Sequence, residues 1–218
     1  MAHGRGLYAR NMAISHQDAS AVLAERDEVM AQLVARHGPM RIPAAPRADQ
    51  RFANLANAIT SQQLNGRAAA TIWGRLVTLV GEPFSADAVS GLPVTALREA
   101  GLSGSKASSL LDLAAHVEDG RINLLTVGRL GDDEVIDHLT MVRGIGPWTA
   151  QMFLIFTLRR LDVWPTGDYG VRSGYGRAYQ GGRMPEAKEL VSLGDKFRPF
   201  RSVAAWYCWK AADDPDFG

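Results

Sequence analysis

The chain of 218 residues lacks the features that mark several common protein classes. It has one cysteine, Cys208, which excludes an internal disulfide and any zinc or iron–sulfur site built from four cysteines. No stretch is long and apolar enough to span a bilayer. Residues 1–10 are polar and lack the apolar run of a signal peptide. We therefore expect a soluble cytoplasmic protein with no membrane partner.

The sequence also lacks an excess of either charge, with 24 basic and 23 acidic residues. Net charge therefore gives no signal for nucleic acid, although it says nothing about how the charges are distributed. The five histidines are scattered without the spacing of metal ligands, which argues against a divalent-metal nuclease. The hydrophobic content of 46% is enough for a real core in one large domain or two small lobes.

No convincing pair of strands appears, and nearly every segment has helical periodicity, so the predicted class is all-α. Ser15 is expected to cap one helix over 15–36. Asn65 is expected to cap a helix reaching Val80, with Leu76 and Leu79 facing inward. The other predicted helices cover about 49–60, 93–101, 106–117, 131–142, 147–158, 169–179, 185–197 and 199–212.

The turn Arg143-Gly144-Ile145-Gly146 lies between two of these helices, and Pro147 begins the second one. Two glycines permit positive φ and a close approach of another molecule. Together with Thr149 and the unpaired N–H groups of a helix N-terminus, they indicate a phosphate-binding site that would hold DNA without recognising its sequence. Such a glycine pair also occurs in plain helix connectors.

A lone carboxylate, Asp168, follows a stiff Pro165-Thr166-Gly167 approach at the start of the next predicted helix. Aspartate at this place is commonly a helix cap. A carboxylate at a helix N-terminus also keeps its charged form, which suits an acid placed beside a developing cation. Trp148, directly after Pro147, is positioned to face whatever the glycine turn holds.

At these residues the sequence resembles a known family. Residues 139–168 resemble the helix-hairpin-helix plus Gly/Pro…Asp signature of the base-excision DNA glycosylase superfamily, in particular its 3-methyladenine DNA glycosylase II (alkylpurine DNA glycosylase) members. The likeness extends over about 48–210, and the N-terminal β-rich lobe of some members is not expected here. Further matches are the base-extrusion loop at 58–64, the middle hairpin at 101–107, and the last helix at 197–202 with Trp206 and Trp209.

The resemblance implies a fold of two helical lobes with the active-site cleft between them. We expect a flexible N-terminus over 1–13 and a glycosylase domain over 14–218, in which lobe one covers about 50–145 and lobe two about 14–49 plus 146–218.

The resemblance also implies roles for individual residues. Asp168 would be the catalytic acid group, and Gln63 with Leu64 would fill the gap left in the duplex. The base pocket would comprise Trp148, Tyr169, Trp209 and Met152, the last at a position that is aromatic in some relatives. DNA backbone contacts would come from Gly144, Ile145, Gly146 and Thr149, and a monovalent cation (Na+ or K+) would bind the backbone carbonyls of Thr140, Val142 and Ile145.

The implied activity is hydrolysis of the N-glycosidic bond of alkylated purines, such as 3-methyladenine and 7-methylguanine, in damaged double-stranded DNA. The protein would act as a monomer by base flipping, with no required cofactor, and would associate with the nucleoid if the source is prokaryotic. Bifunctional relatives have a lysine at the Trp148 position, and none of the four lysines here lies in that stretch, so we expect no strand nicking. The alternatives are a glycosylase for hypoxanthine, an etheno adduct or uracil, and a non-catalytic damage-sensing module in which Asp168 only caps a helix.

Overall fold

A computed structural model describes residues 14–217, and all regular structure in that range is helical, as predicted. The expected flexible segment 1–13 lies outside the described residues. Twelve α-helices follow in chain order: α1 His16–Arg26, α2 Glu28–His37, α3 Arg51–Ser61, α4 Gly66–Val80, α5 Ala86–Ser90, α6 Val94–Glu99, α7 Gly104–Glu118, α8 Asp132–Thr140, α9 Pro147–Met152, α10 Tyr169–Tyr179, α11 Ala187–Leu193 and α12 Arg201–Asp213.

The chain forms two compact units. The described residues up to Ile42 and from Tyr169 onward make the first unit, and Pro43–Asp168 makes the second. The boundaries expected from the sequence, near residues 50 and 145, both fall within the second unit. Residues 146–168 belong with the second unit because α8 packs against α9, and the helical segment after α9 packs against α3.

In the first unit, the single helix predicted over 15–36 is wrong, because Asp27 divides it. Ser15 caps α1 as expected, with a capping box to Asp18. Asp27 then adopts an extended backbone, with φ −145°, and its carboxylate accepts the Met30 N–H over 2.9 Å. Aspartate competes in this way for backbone N–H groups, so one helix ends and a second begins at the same residue.

The core of the first unit depends on a close crossing of α10 and α12. A Cβ atom built on Gly174 would lie 1.7 Å from the carbonyl oxygen of Cys208. Asp27 adds a polar cluster, because its carboxylate accepts hydrogen bonds from Tyr179 and from Lys196, each over 2.8 Å. The C-terminal end is tied down where Asp214 pairs with Arg36.

In the second unit, α4 begins as predicted, with the Asn65 side chain accepting the Ala68 N–H over 2.9 Å. Leu76 is fully buried, but Leu79 is 38% exposed, so its predicted inward position is wrong. Leu79 lines an open groove whose other wall is α6. This helix has only six residues and leaves Leu79 uncovered.

The apolar segment predicted as one helix over 147–158 changes its winding halfway. After α9 ends at Met152, residues Phe153–Thr157 form a π-helical turn, in which the Leu158 N–H donates to the Phe153 carbonyl over 3.0 Å. Leu154 and Ile155 are fully buried, whereas Phe156 is 41% exposed. The predicted helix over 185–197 is likewise broken, into α11 and a 3₁₀ turn at Asp195–Phe197.

Candidate functional site

The turn between α8 and α9 requires a glycine at position 144. Gly144 has φ +78°, and a Cβ there would lie 2.4 Å from the Ser109 hydroxyl oxygen of α7. The turn is closed by the Ile145 N–H, which donates to the Val142 carbonyl over 3.1 Å. Val142 and Ile145 are both buried, so their side chains anchor the turn to the core of the second unit.

The second glycine of the turn has a different environment. Gly146 has an extended backbone, and apart from its neighbours in the chain no described heavy atom lies within 4 Å of a Cβ built on it. It caps α9, where Pro147 occupies the first position and the N–H groups of Trp148 and Thr149 lie in the first helical turn. Such N–H groups have no intrahelical acceptor and form a site that suits a phosphate.

Two residues of α7 fix the turn, and sequence reasoning missed both. The Asp112 carboxylate accepts the Arg143 N–H over 2.7 Å, and the buried Ser109 lies directly beneath Gly144. They are three residues apart and share one face of a helix. The spacing could have indicated that common face, but not which loop it contacts.

Asp168 and Trp148, both singled out in the sequence, meet in the second unit. The indole N–H of Trp148 donates to Oδ2 of Asp168 over 2.5 Å. Asp168 is 8% exposed while Trp148 is 49% exposed. The Asp168 N–H donates to the Pro165 carbonyl over 3.0 Å, which turns the chain sharply before the carboxylate. The result is a largely buried acid with an aromatic donor whose ring remains accessible.

The predicted duplex-gap residues form an exposed loop after α3. Gln63 has φ +56°, and the side chain of Leu64 is 37% exposed. The neighbouring Gln62, to which the sequence assigned no role of its own, donates from its amide to the Gly144 carbonyl over 3.0 Å and to the Thr149 hydroxyl over 3.3 Å. The loop and the glycine turn are therefore joined directly.

Met152 lines a cavity of about 420 Å³ in the second unit, together with Phe156, Asn57 and residues of the 43–46 connector. Within the described chain, the residues that line this cavity do not include Trp148 or Asp168. The remaining predicted pocket residues, Tyr169 and Trp209, belong to the first unit. Tyr169 is 72% exposed and Trp209 is half-buried.

The described residues, 14–217, contain neither a metal-binding cluster nor a helix able to cross a membrane. No three His, Cys, Asp or Glu side chains in this range come together in a way that could hold a metal ion. In the same range, no helix combines the length and the apolar character that a membrane crossing requires.

An all-helical fold with a glycine-containing helix-hairpin-helix and a buried aspartate after it defines a class of DNA-repair protein. The model of the HhH-GPD superfamily of base excision DNA repair proteins matches residues 56–198, and the chain belongs to this superfamily.

Individual relatives are similar over most of their length. DNA-3-methyladenine glycosylase 1 of Schizosaccharomyces pombe is 31% identical over 198 residues, covering 89% of this chain and 87% of the relative. The structure of the S. pombe 3-methyladenine DNA glycosylase with abasic DNA has a TM-score of 0.80 and 30% identity, covering 92% of this chain and 98% of that one. A DNA-3-methyladenine glycosidase structure from Bacillus halodurans has a TM-score of 0.79 and 34% identity, covering 89% of each chain.

Proposed function

We propose that the protein is a monofunctional DNA glycosylase that removes alkylated purines, such as 3-methyladenine and 7-methylguanine, from double-stranded DNA. The observation that carries the proposal is the buried Asp168 carboxylate, held by the Trp148 indole at 2.5 Å. A structural helix cap needs no such partner from another helix. The names of the relatives, which are 3-methyladenine glycosylases, support the substrate class.

The reaction needs little more than one well-placed negative charge. An alkylated purine carries positive charge, so the bond from C1′ of the sugar to the base nitrogen breaks with its electron pair leaving on the base. The sugar becomes oxocarbenium-like, and Asp168 stabilises that cation electrostatically. Water then adds to C1′, and the carboxylate orients the water and accepts its proton.

Selectivity would begin with the aromatic surfaces. A cationic base against Trp148, Tyr169 or Trp209 gains cation–π energy of about 0.5–2 kcal/mol for each good contact. An undamaged base lacks that gain and is also harder to unpair. Met152 offers a polarizable but weaker surface, which would narrow the range of bases that bind well.

The glycine turn would hold the DNA backbone. The N–H groups of Gly144 and Gly146 and those at the start of α9, including Thr149, suit a phosphate. Ile145 would serve through its buried side chain, since its own N–H is donated to Val142. The flipped nucleotide would leave a gap for Gln63 and Leu64, the exposed loop after α3.

A monovalent cation would fit the same turn. Thr140 is the last residue of α8, where helix carbonyls lack intrahelical partners, and Val142 and Ile145 follow it in the chain. The Val142 carbonyl already accepts the Ile145 N–H and has a second lone pair left. Such an ion would add positive charge beneath the phosphate.

A panel of duplexes carrying single lesions tests the proposal. Incubation with 3-methyladenine or 7-methylguanine DNA should release the free base, and strand breaks should appear only after alkali. Release of hypoxanthine, an etheno base or uracil instead would reassign the substrate. DNA binding without release of any base would indicate a damage-sensing module, and nicking without alkali would contradict the monofunctional assignment.

A further inference from the structure

Lys106 lies outside the proposed active site and binds the loop after α3, which precedes Lys106 in the chain. Lys106, in the first turn of α7, donates from Nζ to the carbonyl of Thr60 over 2.8 Å and to that of Gln62 over 2.6 Å. These carbonyls lie at the C-terminal end of α3, where backbone acceptors have no intrahelical partner. A cation at a helix C-terminus is also favoured by the helix dipole.

The same loop is held from its other side by the glycine turn. The Gln62 amide donates to the Gly144 carbonyl and the Thr149 hydroxyl. Residue 62 is therefore fixed at both its backbone carbonyl and its side chain, while Gln63 and Leu64 project into solvent. Two loops that would touch DNA thus share one set of contacts.

Helix α7 is the common support of both loops. Its residues Lys106, Ser109 and Asp112 recur every three residues on one face. Lys106 contacts the loop after α3, Ser109 lies beneath Gly144, and Asp112 accepts the Arg143 N–H. The distance between the two loops is therefore set by a single rigid element.

The backbone of the loop needs this support. Gln63 has φ +56°, a left-handed conformation that a non-glycine residue keeps only when its surroundings impose it. Lys106 holds the carbonyl immediately before it. Partial burial lowers the pKa of Lys106, and two of its three N–H donors are used by carbonyls. These contacts with backbone carbonyls indicate a residue that supports the loop from within the protein. They differ from the contacts of a surface lysine that binds phosphate.

We propose that Lys106 is a positioning residue for base extrusion, which keeps Gln63 and Leu64 in the conformation that enters the duplex. The inference rests on the proposed function, because it assumes that the protein flips a base. It adds a residue that acts through the loop and contacts neither the base nor the sugar.

The first test compares single-turnover base release by wild type, Lys106→Met and Lys106→Arg on two duplexes with the same lesion. In one duplex the lesion is paired normally, and in the other it faces a mismatch that already weakens its pairing. Lys106→Met should slow release from the paired duplex about tenfold, roughly 1.4 kcal/mol, and from the mismatched duplex less than about threefold, because less extrusion work remains. Lys106→Arg, which keeps charged donors, should recover most of the rate.

Lys188→Met is the matched control, because it removes one exposed lysine from α11 in the other unit. It should leave both rates unchanged. An equal loss on both duplexes for Lys106→Met would show a general structural effect and overturn the inference, as would no loss on either. A reduced salt dependence of DNA affinity would instead identify a phosphate contact.

A second measurement separates this inference from the proposed function. Duplexes with 2-aminopurine at a mismatch report unstacking by fluorescence without any excision. Wild type should raise the fluorescence and Lys106→Met should raise it less, even if no base is ever released. If wild type leaves the signal unchanged, or the two proteins raise it equally, Lys106 does not position an extrusion loop.

Discussion

The indole N–H of Trp148 and Oδ2 of Asp168 are 2.5 Å apart, although the two residues are separated by 20 positions in the chain. Trp148 lies in the first turn of α9, next to Pro147, and Asp168 is the last residue of the second unit. The hydrogen bond therefore couples the element proposed to hold DNA to the carboxylate proposed to act on the sugar.

Trp148→Phe should separate the contribution of the hydrogen bond from the contribution of the aromatic ring. The variant keeps an aromatic surface but loses the indole N–H that donates to the Asp168 carboxylate. We expect single-turnover base release to fall about tenfold or more. The free energy of unfolding should also fall, by about 1.5–3 kcal/mol, because the buried carboxylate loses a donor. The rate is measured on a lesion duplex at saturating enzyme.

Trp73→Phe provides the control for that substitution, since Trp73 packs against Phe84 away from the carboxylate, with ring centroids 4.8 Å apart. Its rate should match wild type. Full activity of Trp148→Phe would show that the indole N–H has no part in the reaction.

Gly144→Ala and Gly146→Ala should impair different properties, namely stability in the first variant and DNA binding in the second. The first places a Cβ 2.4 Å from the Ser109 hydroxyl at a residue with φ +78°, so unfolding free energy should drop by about 1–3 kcal/mol. The second meets no described atom and should fold normally. Its Cβ should obstruct a phosphate and weaken duplex binding about three- to tenfold.

Urea unfolding and fluorescence anisotropy with labelled duplex measure the two effects. Equal stability of both variants would contradict the packing at Ser109. Unchanged DNA affinity of Gly146→Ala would remove this residue from the proposed backbone contact.

Gly174→Ala should destabilise the first unit severely. The added methyl would sit 1.7 Å from the backbone carbonyl of Cys208, which cannot move without separating α10 from α12. We expect a loss of about 3 kcal/mol or more. In contrast, Gly74→Ala in α4 meets nothing within 4 Å and should gain about 0.5–1 kcal/mol. Calorimetric melting of the two variants checks the contrast, and similar melting would contradict the close crossing.

Stability should also depend on pH through Asp27. Burial raises the pKa of Asp27, but hydrogen bonds from Lys196, the Met30 N–H and Tyr179 outweigh it and hold that pKa below its usual value near 3.8. The stabilisation is therefore present above the pKa of the unfolded state, and it is lost as pH falls through the lower pKa of the folded state.

Asp27→Asn should keep the helix cap and lose the charge. Its deficit in unfolding free energy, below about 1 kcal/mol for a partly exposed pair, should be present at pH 6 and should shrink toward pH 3. Asp87→Asn, an exposed residue of α5, serves as the comparison. Urea titrations at several pH values measure both, and a deficit that stays constant with pH would refute the role of the Asp27 charge.

Local signals in the sequence predicted most of the helices. The caps at Ser15 and Asn65 use side chains that accept a backbone N–H three residues away, so the information is local. The division at Asp27 depended on whether its carboxylate would turn to Met30, with support from Lys196 and Tyr179 far along the chain. The exposure of Leu79 depended on how much of α4 the facing helix covers. Such outcomes are decided by tertiary contacts.

In the candidate site, too, some features follow from local sequence and others depend on tertiary contacts. Asp168, Trp148 and the glycine turn were proposed as site residues from residue types and spacing, whereas the hydrogen bond between Asp168 and Trp148 was not predicted. Lys106, Ser109 and Asp112 carry no motif that names their partners, since each acts on a loop far away in sequence. Supports of this kind become visible only when the helices are packed.

Base release by Asp168→Asn beside Asp87→Asn is the most direct measurement of the central claim. Both variants lose one carboxylate, and only the first loses the group paired with Trp148. The account predicts that Asp168→Asn folds, binds lesion duplex and releases alkylated base at least about 100-fold more slowly than wild type, while Asp87→Asn keeps the wild-type rate. Release at the wild-type rate by Asp168→Asn would contradict the account.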